Sequence, residues 1–146
     1  MGAREYLQQL QRLDTIIAQK TLEKADLRAA LSDVSSVDLS RERVQGGKLP
    51  ADSGLYDRVV KLVSLEDEID ERIKAFADLK HTIIEQIHGL YDVRYIKLLY
   101  KRYVEFKDFE KISREMHYTY QYTKELHSDA LQSFETTYPN LPATVL

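Results

Sequence analysis

The sequence predicts an all-α protein in which a long, antiparallel, coiled-coil-like helical hairpin precedes a small helix-turn-helix domain. Over two long segments, apolar residues recur in alternating steps of four and three, the period of helices that pack together. The 146 residues include only three prolines and five glycines, and four of the glycines precede residue 55. Residues 108–134 follow the pattern of two short helices joined by a tight corner.

The two long segments predict the hairpin over residues 1–90. The first heptad pattern comprises Tyr6, Leu10, Leu13, Ile17, Lys20, Lys24, Leu27, Leu31 and Val34. The second comprises Leu55, Val59, Leu62, Glu66, Ile69, Ile73, Phe76, Lys80, Ile83, Ile87 and Leu90. The alternative is that the two patterns pair between chains and form a homodimer. The polar heptad positions include Lys20, Lys24 and Glu66. These side chains either set the register of helix pairing as buried or half-buried groups, or they turn to solvent, which is the interpretation that we favour.

A connecting loop is predicted at residues 35–54. Gly46, Gly47 and Pro50 argue against a continuous helix there. Twenty residues is long for a connector inside a compact domain, which indicates a mobile or functional segment. Asp52 or Ser53 is then expected to cap the second long helix.

A separate domain is predicted over residues 91–135, after Gly89 ends or hinges the long helix. Its expected elements are a helix over 91–106, a second helix capped by Asp108, a corner at His117, and a final helix capped by Thr119. The inward positions of the last two helices are Phe109, Ile112, Met116, Thr123, Leu126, Ala130, Leu131 and Phe134. Two prolines follow closely, so residues 136–146 are expected to form a flexible tail.

Composition narrows the class of protein. The chain has no cysteine and a net charge of −3, and it lacks a signal peptide or an apolar run long enough for a membrane helix, so we expect a cytoplasmic protein without membrane contact. No catalytic motif or phosphate loop is present, which argues against an enzyme and a cofactor. His81, Glu85 and His88 share a helix face but lack further ligands, so no metal site is expected.

Four short patterns carry a resemblance to a known family. They are Leu98-Leu99-x-x-Arg102-Tyr103, Asp108-Phe109-Glu110-Lys111-Ile112-Ser113, Met116-His117-Tyr118-Thr119, and Lys124-x-Leu126-His127-x-x-Ala130-Leu131. Together they resemble the promoter-reading region 4 of bacterial sigma factors. With the long helices and Arg43-Val44-Gln45 in front, nearly the whole chain resembles the ArpU/RinA-like late transcriptional regulators of phages. The resemblance implies a phage or prophage regulator of late genes in the cytoplasm of a bacterial host, binding double-stranded DNA with RNA polymerase as a further partner.

The resemblance also implies a DNA-contacting surface. On the last helix, the side chains expected to contact base edges are Tyr120, Gln121, Lys124, Glu125 and Ser128. The groups expected to hold phosphates are Lys101, Arg102, Lys107, Lys111, Arg114 and Thr119. For each of these residues the alternative is an ordinary solvated side chain, and for Arg102 an ion pair within the domain.

The chain departs from the sigma pattern in two respects. His117 stands at the corner, where glycine is usual because the backbone there is left-handed. The last helix is also poor in cations, since residues 119–134 contain one, Lys124, against Glu125 and Asp129. Residues 91–134 hold eight Lys and Arg against seven Asp and Glu, so unaided DNA binding should be weak.

Two other functions therefore stay open. One is an adaptor that binds polymerase or a repressor through the same fold, and the other is a structural coiled-coil component of a phage.

Seven of the ten tyrosines fall between residues 91 and 122, which favours a small aromatic core. The alternative is a partner surface built by Tyr118, Tyr120 and Tyr122.

Overall fold

The structure is a computed structural model that describes the backbone of residues 2–45 and 49–142 and the side chains of residues 2–33 and 54–142. In this part of the chain every regular element is helical, as predicted. The elements are α1 (Ala3–Gln45), α2 (Leu49–His88), α3 (Val93–Leu99), α4 (Phe109–Met116) and α5 (Tyr120–Thr137), with a π-helical turn at Tyr100–Val104 directly after α3. None of the described helices combines the length and the apolar character that a membrane span needs.

The predicted loop at residues 35–54 is wrong over most of its length. α1 continues to Gln45 and α2 already begins at Leu49, so only Gly46, Gly47 and Lys48 separate the helices, and these lie outside the described residues. Pro50 is the second residue of α2, where a missing N–H breaks no helical hydrogen bond. Asp52 and Ser53 are therefore the fourth and fifth residues of α2 and do not precede it as caps.

The chain divides into two compact units, and parts of α1 and α2 belong to each. The first unit comprises residues 1–15 and 77–146, and the second comprises residues 16–76. Residues 1–15 and 77–90, which the sequence assigns to the hairpin, thus group with the C-terminal helices. Independent folding of residues 91–135 stays a prediction.

Ion pairs join α1 to α2 in the second unit. Lys24 Nζ lies 2.8 Å from Asp70 Oδ1, and Arg28 Nε lies 2.6 Å from Glu66 Oε1. From Lys24 to Arg28 the residue number rises along α1, while that of the partner falls from Asp70 to Glu66 along α2. This is the order of antiparallel helices. Glu66 is buried, so the expectation that it turns to solvent is wrong: the guanidinium of Arg28 balances its charge at this position.

The heptad residues of the first unit are more deeply buried than those of the second. In the first unit the apolar heptad residues are at most 5% exposed, and they comprise Tyr6, Leu10, Leu13, Ile83, Ile87 and Leu90, whereas the polar heptad residue Lys80 is partly exposed. Burial is complete here because α5 covers this end: the rings of Phe134 and Tyr6 lie 6.0 Å apart. The Ala3 N–H also donates to Glu135 Oε1 at 2.8 Å.

The prediction of a flexible tail over residues 136–146 starts the tail too early. α5 runs to Thr137, and the ring of Tyr138 packs against Phe134 at 5.0 Å. The Tyr138 hydroxyl donates to the Gln86 carbonyl at 2.8 Å, so the aromatic residue before Pro139 is fixed by packing and a hydrogen bond. Residues 143–146 lie outside the described part.

Candidate nucleic-acid interface

The last three helices surround a small apolar core. Leu98, Ile112 and Leu126 are buried at its centre, one from each of α3, α4 and α5. Around them lie the partly buried side chains of Tyr95, Phe109, Met116, Tyr118 and Tyr122. Tyr118 and Tyr122 thus contribute to the core with their rings in edge contact at 4.8 Å, which supports the aromatic-core interpretation of the tyrosines.

Side-chain caps fix the start of each of the last three helices. Asp92, Asp108 and Thr119 accept hydrogen bonds from the backbone N–H groups of Arg94, Lys111 and Tyr122, respectively. The Asp108 and Thr119 caps agree with the sequence prediction. The helix predicted from residue 91 instead begins two residues later, as α3 at Val93, after the cap Asp92. Such caps satisfy N–H groups that have no partner within the helix.

The corner between α4 and α5 has the left-handed backbone that the sequence indicated. His117 has φ 61° and ψ 41°, and its N–H bonds back to the end of α4. Tyr118 N–H donates to the Ser113 carbonyl at 2.9 Å, which closes the corner. Together with the Thr119 cap, these bonds set the direction in which α5 leaves the corner.

All the predicted base-reading residues lie on one exposed stripe of α5. Their spacing over two helical turns places them opposite the buried positions Thr123, Ala130 and Phe134. Within the stripe, Lys124 Nζ lies 5.4 Å from the ring centre of Tyr120, and Gln121 donates to Glu125 at 3.3 Å. The stripe therefore presents donors, acceptors and one cation to solvent.

Most of the predicted phosphate-binding side chains already contact other groups of the protein. Arg102 is turned inward, with its guanidinium carbon 4.3 Å from the Phe109 ring centre and Nη1 donating to the Lys107 carbonyl. Lys101 and Lys107 both contact the carboxylate of Glu115. In the described part of the chain, the side chains of Lys111 and Arg114 make no ion pair or hydrogen bond. Thr119 is exposed, and its hydroxyl is engaged by the cap.

Glu115 is the charged residue that the sequence analysis missed. Its Oε1 lies 2.6 Å from Lys101 Nζ and 2.7 Å from Lys107 Nζ, and these hydrogen bonds lower the pKa of its carboxyl to about 2. The lysines are 14 and 8 residues away in sequence, spacings that no single helix brings together. The local sequence pattern therefore carries no signal for this cluster.

His127 was also missed as a buried group, although its spacing from Thr123 and Ala130 was a signal. It is 4% exposed, shares a 2.7 Å hydrogen bond with the Tyr103 hydroxyl, and meets the Phe109 ring edge-on at 4.9 Å. Burial, together with the charges of Arg4 and Arg102, lowers the pKa of His127 to about 4. It is thus neutral at pH 7 and serves the packing of α5.

A cleft of about 620 Å³ lies beside the corner, at the side of α3. Its apolar walls include Val93, Ile96, Tyr100 and Met116, and Lys97 is one of its charged groups. The ring of His88 stacks on Tyr100 at 5.9 Å at one edge of this cleft. Among the described residues, no group of His and acidic side chains has the arrangement of a metal site.

Comparison of the chain with protein-family models, with curated proteins and with solved structures gives no match.

Proposed function

We propose that this protein is a DNA-binding transcriptional regulator of phage or prophage late genes, related to the ArpU/RinA-like group. In this proposal α4, the corner and α5 act as a sigma-like helix-turn-helix, and α5 enters the major groove. The long helices form an antiparallel hairpin that holds a second copy or RNA polymerase. The observation that carries the proposal is the exposed polar stripe of α5 behind a capped, left-handed corner.

The side chains of the stripe have chemistry suited to base edges. Gln121 can pair with adenine, Lys124 can donate to guanine, and Glu125 can accept from cytosine. Thr119 lies at the N-terminus of α5, where free backbone N–H groups favour a phosphate. Lys111 and Arg114 supply the cations on the neighbouring helix.

The test is fluorescence anisotropy with late-promoter duplex DNA at about 50 mM salt, with and without RNA polymerase. Lys124→Glu should weaken binding at least tenfold, because it replaces a base donor with a charge that repels phosphate. Lys61→Glu, an equal charge change on the exposed side of α2, is the matched control and should have little effect. Absence of binding under both conditions would refute the regulator, and equal effects of the two variants would refute the assignment of α5.

A second function is favoured by the charge of α5 and by the cleft. With Glu125, Asp129 and Glu135 against Lys124, α5 has a net charge of −2, which opposes DNA binding. Val93 is 58% exposed at the cleft, and Tyr91 close by is fully exposed, as is common where a protein partner docks. The alternative is therefore an adaptor that uses the same fold to bind polymerase or a repressor.

A further inference from the structure

Three segments of the chain bring charged side chains together around Glu115. Lys101 belongs to the π-helical turn, Lys107 precedes α4, and Glu115 lies in the last turn of α4. The nitrogens of both lysines approach the same atom, Glu115 Oε1, at 2.6 and 2.7 Å. Two ammonium groups that converge on one oxygen atom form a preformed site for an anionic oxygen.

The charge of this cluster is balanced only while Glu115 is in place. Lys107 also contacts Glu105 at 2.8 Å, so two lysines face two carboxylates. Without the Glu115 carboxylate, two neighbouring ammonium groups would face Glu105 alone, and their mutual repulsion would favour the entry of another anion. A phosphate oxygen accepts hydrogen bonds from ammonium groups as a carboxylate oxygen does.

We propose that Lys101 and Lys107 form a phosphate-binding site for duplex DNA, and that Glu115 occupies this site as an internal competitor until DNA displaces it. The inference deepens the proposed function and rests on it. The ion pairs of Glu115 with Lys101 and Lys107 must break before the two lysines can bind a phosphate. The competition therefore lowers the affinity for DNA and makes a stable complex depend on a partner or a second copy.

The test compares Glu115→Gln with Glu110→Gln. Both substitutions remove one negative charge from α4, and the Glu110 side chain makes no ion pair among the described residues, so the second variant controls for net charge. The measurements are the salt concentration of elution from a heparin column and the Kd for a 20-base-pair duplex at several salt concentrations. Relative to E110Q, E115Q should bind the duplex about threefold to tenfold more tightly, with a salt slope steeper by about 1.

Lys101→Met identifies the lysine site as the source of the gain. In the E115Q background it should remove most of the increase, whereas in the original chain it should change binding little, because Glu115 already engages Lys101. Glu115→Asp keeps the charge on a shorter side chain, so its affinity should fall between those of the original chain and E115Q. Circular dichroism establishes that each variant is folded, which is expected because Glu115 is largely at the surface.

The outcomes separate this inference from the proposed function. Equal heparin retention and equal Kd for E115Q and E110Q would overturn the phosphate site and leave the regulator intact. Stronger heparin retention of E115Q without any binding of duplex DNA would overturn DNA as the ligand, and with it the proposed function. A gain in DNA affinity that Lys101→Met does not remove would also overturn the site.

Discussion

Acidification from pH 7.5 to pH 4.5 should weaken the fold through His127. Its pKa is about 4 in the folded protein, because burial disfavours the imidazolium, against about 6.5 in an unfolded chain. In that interval the unfolded state binds more protons than the folded state, so stability falls as the pH falls. The difference between the two pKa values corresponds to about 2.5 kcal/mol lost at pH 4.5.

Urea unfolding followed by circular dichroism at both pH values measures this loss. His127→Gln retains a polar side chain beside Tyr103 but cannot titrate, so its loss between the two pH values should be smaller than that of the original chain by about 2 kcal/mol. His81→Gln, on the exposed side of α2, is the control and should show the full loss. If H127Q and H81Q lost the same stability on acidification, the argument from burial would be refuted.

Three further substitutions test the corner and the packing of α5. His117→Gly should stabilise the fold by up to about 1 kcal/mol, measured by urea unfolding, because φ 61° strains a residue with a Cβ; a loss of stability would contradict the left-handed corner. Thr119→Ala should cost about 1 kcal/mol by removing the cap of α5, and an unchanged urea midpoint would argue against that cap. Phe134→Ala should cost about 3 to 5 kcal/mol, since its buried ring packs against Tyr6 and Tyr138; a cost below about 1 kcal/mol would show that α5 does not cover this end.

Local chemistry explains which parts of the fold could be predicted. Asp108 and Thr119 cap helices because a short polar side chain directly precedes an apolar period, and that signal is present in the sequence. The buried positions of α5 follow from helical spacing alone. His117 could be assigned to the corner because the helical patterns on both sides leave only one or two residues for the turn.

The remaining features depend on tertiary contacts that carry no local signal. The π-helical turn at Tyr100–Val104 widens the helix where Tyr103 reaches the buried ring of His127. The prediction missed the extent of α1 to Gln45 because it extended the helix-breaking effect of Gly46, Gly47 and Pro50 over the whole of residues 35–54, whereas α1 ends directly before Gly46. At the candidate site, Glu115 engages lysines that are distant in sequence, so the sequence suggested free phosphate contacts where the structure has ion pairs.

The most direct test of the account is an NMR titration of the protein with late-promoter duplex DNA. We predict that the largest backbone amide shifts fall on the α5 stripe from Tyr120 to Ser128 and at the Thr119 cap, with smaller changes around Lys111. Shifts concentrated instead at the cleft near Val93 and Ile96, or no shifts at low salt, would contradict promoter recognition by α5.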